Sequence, residues 1–89
     1  GKTGNKVLTI FPNPASDNIQ IQLVSGIDTK AKVDIVDLSG KIITTTNIVL
    51  QKGKNAITVE GLSDKPRGIY LALLYVGNEL FREKIILTK

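Results

Sequence analysis

A chain of 89 residues with 42% hydrophobic and 22% charged residues has the size and composition of one folded domain, too apolar for a disordered tail and too short for two cores. Without Cys it has neither a disulfide framework nor thiolate chemistry, and without His it lacks the commonest general base and metal ligand, which argues against an enzyme. The formal charge of +4 comes from 12 Lys and Arg against 8 Asp and Glu, scattered from Lys2 to Lys89 beside only Phe11, Tyr70, Tyr75 and Phe81 as aromatics, which argues against a nucleic-acid-binding platform.

Residues 1–6, Gly1-Lys2-Thr3-Gly4-Asn5-Lys6, are polar and Gly-rich without periodicity and read as a linker, so the domain is expected to span 7–89. Residues 7–11 form a short β-prone run. Pro12-Asn13-Pro14 stops it at a rigid corner, because Pro has no N–H to donate and pushes the residue before it into extended geometry. Residues 18–24 alternate, with Ile19, Ile21 and Leu23 on one face and Gln20 and Gln22 on the other, until Gly26 and Asp28 break the pattern. Residues 31–37 alternate again, Val33 and Ile35 against Lys32 and Asp34.

Asp37-Leu38-Ser39-Gly40-Lys41 reads as a tight turn, since Asp accepts local backbone N–H groups and Gly tolerates positive φ. The return strand over 41–50 is rich in Ile, Thr and Val and ends at Gln51-Lys52-Gly53. A fifth strand over 54–60 points Ala56 or Ile57, with Val59, inward. Gly61, Asp64, Pro66 and Gly68 then mark a connection in which Leu62 is expected to plug the core. Residues 69–76 are almost continuously apolar, the pattern of a strand covered on both faces or packed at the centre of the sandwich, and are expected to form the central strand. Gly77-Asn78 predicts a two-residue hairpin link into a last strand over 80–87, where Arg82, Glu83 and Lys84 among aliphatics suit a protected edge.

Seven short, evenly spaced strands without a helical period predict an all-β fold, a seven-stranded antiparallel immunoglobulin-like β-sandwich. The apolar runs fall far short of the roughly 20 residues of a membrane helix, so no direct membrane insertion is expected. No basic stretch leads into an apolar segment near Gly1, so an exported form is expected to be part of a longer precursor.

Tests for chemistry return little. Asp34 and Asp37 lie on opposite faces of a strand and suit no paired-carboxylate reaction, so no catalytic residue is assigned. Asp28, Asp37 and Asp64 leave calcium open if their loops meet at one end, although their spacing matches no known loop. No cofactor and no resident metal are expected.

Four segments carry a resemblance. Phe11-Pro12-Asn13-Pro14 before Ala15-Ser16-Asp17-Asn18, then Asp37-Leu38-Ser39-Gly40-Lys41, Gly68-Ile69-Tyr70-Leu71, and Lys84-Ile85-Ile86-Leu87-Thr88-Lys89 stand in an order that resembles the type A C-terminal sorting domains of the Bacteroidetes type IX (Por) secretion system. The likeness covers about 7–89, with Phe11 where Tyr is commoner. It implies a non-enzymatic secretion signal fused behind a cargo protein. The partners would be the outer-membrane translocon, a shuttle protein and a cell-surface sortase, and the route would pass through the periplasm to the cell surface or medium. It also implies sortase cleavage near Gly4, Asn5 and Lys6. Translocon recognition is expected at Lys84, Ile85, Ile86, Leu87, Thr88 and Lys89, through unpaired backbone of a terminal edge strand and its cations. Pro12, Asn13, Pro14, Asp37, Gly40, Lys41, Gly68 and Tyr70 would set backbone geometry. The same strand pattern also fits an immunoglobulin-like or fibronectin-like spacer or a carbohydrate-binding module.

Overall fold

Period-2 patterning dictates the architecture, because alternate side chains leave opposite faces of a strand and the apolar face must be buried. The computed structural model describes residues 4–88. In it the strands are β1 (Lys6–Phe11), β2 (Ile19–Ser25), β3 (Thr29–Val36), β4 (Ile42–Leu50), β5 (Gly53–Val59), β6 (Gly68–Val76) and β7 (Glu79–Leu87). They form two antiparallel sheets, β1-β2-β5 and β4-β3-β6-β7. The result is the immunoglobulin-like sandwich expected, with β4 on the sheet of β3, β6 and β7 rather than on that of β1.

Between the sheets lie Ile19, Ile21 and Leu23 of β2, Val33 and Ile35 of β3, Ile57 and Val59 of β5, and Ile85 and Leu87 of β7, all buried. The choice between Ala56 and Ile57 falls to Ile57, with Ala56 exposed. Leu62 reaches in from the connection between β5 and β6 and is fully buried.

Both predicted hairpin links form. At the first, Asp37 N donates to Lys41 O at 3.0 Å and Gly40 N to Asp37 O at 3.0 Å, with Gly40 at φ 91°, a region glycine enters without steric cost. At the second, Val76 pairs with Glu79 across Gly77-Asn78. Only Gly77 has positive φ, 57°, the pattern of a type II′ turn.

Two expectations change. β6 is the interior strand expected, between β3 and β7, but cover on both faces, one of the two readings of its continuous apolar character, does not hold: only Tyr70, Ala72, Leu74 and Val76 face the core. Leu71, Leu73 and Tyr75 on the outer face are half-buried and Ile69 is exposed. The linker expected over 1–6 also ends sooner. Lys6 pairs with Val24 in β1, and the Asn5 side chain accepts from Gly26 N at 2.9 Å and donates to Glu79 Oε1 at 2.8 Å. A polar residue in a Gly-rich run gives no local sign of partners so distant along the chain.

Candidate recognition surface

β7 is an edge strand, paired with β6 alone, and an edge strand ordinarily presents a row of unpaired backbone groups. Here the segment that follows β1 covers half of that row. Asn13 acts through its side-chain amide much as a peptide group would: Oδ1 accepts from Ile86 N at 3.0 Å and Nδ2 donates to Lys84 O at 3.1 Å. Ala15 continues the ladder, donating to Ile86 O at 2.8 Å and accepting from Thr88 N at 2.7 Å, in a parallel bridge to Leu87. Pro12 and Pro14 flank the amide on either side, in cis peptide bonds after Phe11 and Asn13.

This strap bears on the backbone groups through which recognition is expected. Lys84 O, Ile86 N and O, and Thr88 N, outward groups that would pair with an added strand, already have partners within the chain. Ile85 and Leu87 are core residues, Lys84 and Thr88 are exposed, and Ile86 is half-buried on the outer face. Lys89 lies outside the described residues. The structure therefore brings the first and last sequence motifs into direct contact, but it leaves the Asp37 turn at another corner.

A third element locks the same region. The half-buried Arg67 donates to the carbonyls of Ser16 (2.9 Å), Leu62 (2.6 Å), Ser63 (3.1 Å), Lys65 (2.6 Å) and Thr88 (3.0 Å). One planar guanidinium thus ties the strap's continuation, the connection between β5 and β6, and the end of the chain together. Sequence reading missed Arg67. The available signal was a lone Arg between Pro66 and Gly68, in a connection where carbonyls outnumber donors. Beside it, the buried Tyr70 hydroxyl donates to Pro66 O, a tyrosine anchoring the start of its strand to backbone just upstream, as in other immunoglobulin-like domains. Gly68 opens β6 opposite Leu87.

In the Asp37 turn, one carboxylate oxygen accepts from Ser39 Oγ (2.6 Å), Ser39 N (2.9 Å) and Lys41 N (3.0 Å). The Ser39 hydroxyl, then the Lys41 amide, hold this carboxyl below its ordinary value. A depressed folded-state value means that the turn's contribution is present above the ordinary aspartate range and is lost as pH falls through the folded value. We expect the amide shifts of Ser39 and Lys41 to titrate below the ordinary aspartate value in the native domain and to become flat in Asp37→Asn. Titration at the ordinary aspartate value would overturn the assignment.

Asp28 does not join Asp37. It accepts from Lys52 N at 2.7 Å just before β3 begins, whereas Asp37 follows the end of β3, so the length of that strand separates the two carboxylates. Among the described residues no three acidic side chains converge on a site for a cation.

Asn13→Ala removes both side-chain links of the strap. It is expected to cost about 1 kcal/mol in urea unfolding and to speed amide exchange at Ile86 more than at Ile85, whose backbone bonds to β6. Equal acceleration at both amides would mean that the strap does not guard the edge.

The structure thus defines an immunoglobulin-like sandwich whose last strand is strapped by the segment after its first strand. The chain belongs to the family of secretion system C-terminal sorting domains, which it matches over residues 9–88. It is thus the C-terminal secretion signal of a type IX cargo, which directs export across the outer membrane toward the surface or the medium. No curated protein matches the sequence. Among solved structures it is similar to the crystal structure of dimeric latent PorU from Porphyromonas gingivalis, with a TM-score of 0.75 and 19% identity over 94% of this chain. That likeness, which takes in 9% of the PorU chain, concerns the fold.

Proposed function

We propose that this domain is the export address of a longer protein. A shuttle protein delivers it through the periplasm, the outer-membrane translocon reads it in folded form, and a cell-surface sortase removes it. The observation that carries this reading is the family match over 9–88, which takes in nearly the whole sandwich. Asn5, held by Gly26 and Glu79, and Lys6, paired in β1, favour a cut on the N-terminal side of Asn5 over the wider window of Gly4, Asn5 and Lys6, because a protease needs backbone it can draw into its cleft.

A fluorescent reporter carrying a signal peptide and residues 1–89 tests the reading, in a type IX-competent bacterium and its translocon-deficient mutant. Reporter at the surface or in the medium of the competent strain alone is the expected result, with the sequenced N-terminus of the released domain at or before Asn5. Periplasmic retention in both strains would overturn the export address and favour a spacer or binding module.

A further inference from the structure

The two outer faces of the sandwich differ in kind. On the three-stranded sheet, residues directly opposite one another share a face, and the outward set intersperses Phe11, Val24 and Ala56 among Thr9, Gln20, Gln22, Lys54 and Thr58, a mixed solvated surface. On the four-stranded sheet the outward row of β6 is the exposed Ile69 and the half-buried Leu71, Leu73 and Tyr75, flanked by the half-buried Ile86 of β7. Among the described residues no second layer covers that row. A contiguous apolar field on a small soluble domain marks a contact surface.

The charges on this face are one-sided. Lys30, Lys32, Arg82 and Lys84 are exposed, with Arg82 opposite Leu73 and Lys84 opposite Leu71. The one acid there among the described residues, Asp34, is buried. Its carboxylate accepts from Thr45 Oγ1 at 2.8 Å and lies 3.6 Å from Lys32 Nζ, while that ammonium stands 4.8 Å from the centre of the Tyr75 ring. The face therefore offers apolar area and exposed cations, and among the described residues it has no exposed carboxylate to pair with them.

We infer that the outer face of β3, β6 and β7 is the docking surface of the domain, and that its occupant is a protein surface with an apolar centre and carboxylates placed to meet Arg82 and Lys84. The inference rests on the export reading, for which it supplies the surface that is read. Complementary charge steers the encounter and sets register, and the apolar row supplies the buried area. A second copy of this chain fits poorly, since it would bring the same cations to the contact. A lipid surface fits less well than a protein, because each cation stands in register with one aliphatic side chain, a spacing that fixed carboxylates can match.

The test uses the reporter fusion with p-benzoylphenylalanine in place of Tyr75, or of Thr58 on the opposite sheet as control, in both strains. It is combined with Arg82→Glu/Lys84→Glu and, as a milder pair, Arg82→Gln/Lys84→Gln. Thermal unfolding within a few degrees of the parent identifies folded variants, since these side chains are exposed. The expected result is a photo-adduct from position 75 with a larger protein, at least ten-fold weaker in the charge-reversed variant, reduced in the Gln pair and absent from position 58, with export reduced in parallel. Charge-reversed reporter that travels and cross-links like the parent would overturn the docking surface while the export address stands. Parent reporter retained in both strains would remove the export address, and the charge dependence of the position-75 adduct would still decide the surface. An adduct of two reporter copies, or flotation of the purified domain with phosphatidylglycerol vesicles that depends on Arg82 and Lys84, would overturn the assigned occupant.

Discussion

Leu62→Ala is expected to lower the stability of the domain by about 3 kcal/mol, as much as a central core truncation, although Leu62 lies outside every strand. Its side chain is fully buried, so truncation leaves a cavity that the two sheets cannot close without breaking their pairing. The backbone prevents the connection from sinking inward to fill it. Leu62 N donates to Asp17 O at 3.0 Å, and Leu62 O accepts from Lys65 N at 3.2 Å and Arg67 Nη2 at 2.6 Å. A domain of this length has roughly 5–13 kcal/mol in total, so the loss is a large share of it. The midpoint of thermal unfolding should fall by on the order of 12–24 °C. Leu62→Met, which nearly conserves volume, should cost less than about 1.5 kcal/mol, and truncation of the exposed Leu38 should stay within about 0.5 kcal/mol. A Leu62→Ala effect as small as that of Leu38→Ala would show that the connection is not part of the core.

The contrast between Leu62 and Arg67 shows what a sequence carries and what it does not. Alternation in β2 and β3 is local, and a one-residue slip would turn Ile19, Ile21 and Leu23 to water, so pattern and burial agree there. Asp37 and Gly40 complete their turn within a few residues and were equally legible. The strap was not, because Asn13 meets Lys84 and Ile86 across separations of 71 and 73 residues, and an Asn between two prolines looks the same whether or not an edge strand awaits it. Strand order was hidden for the same reason. The outer face of β6 misled in a more instructive way. Leu71, Leu73 and Tyr75 read as residues to be covered, yet nothing in the described chain covers them. The strap also takes Lys84 O, Ile86 N and O, and Thr88 N, partners that no local pattern around residues 84–88 announces.

Arg67→Met is expected to cost about 2–3 kcal/mol while keeping most of the stem's apolar contact. Hydrogen bonds from a charged donor are the stronger kind, and here one guanidinium serves carbonyls of Ser16, Leu62, Ser63, Lys65 and Thr88, which converge from three segments and have no common substitute donor. Lys carries the same charge but only one nitrogen on a flexible stem, so Arg67→Lys should recover less than half of the loss. Thr88 supplies the discriminating readout. Its amide donates to Ala15 O while its carbonyl accepts from Arg67, so loss of the guanidinium should accelerate exchange at Thr88 and Ala15 ahead of the strand centres. Because Arg67 also holds Leu62 O, the double variant Leu62→Ala/Arg67→Met should lose less than the sum of the two single losses. Full additivity, or an Arg67→Lys variant as stable as the parent, would reduce Arg67 to a surface charge and leave the end of β7 held by Asn13 and Ala15 alone.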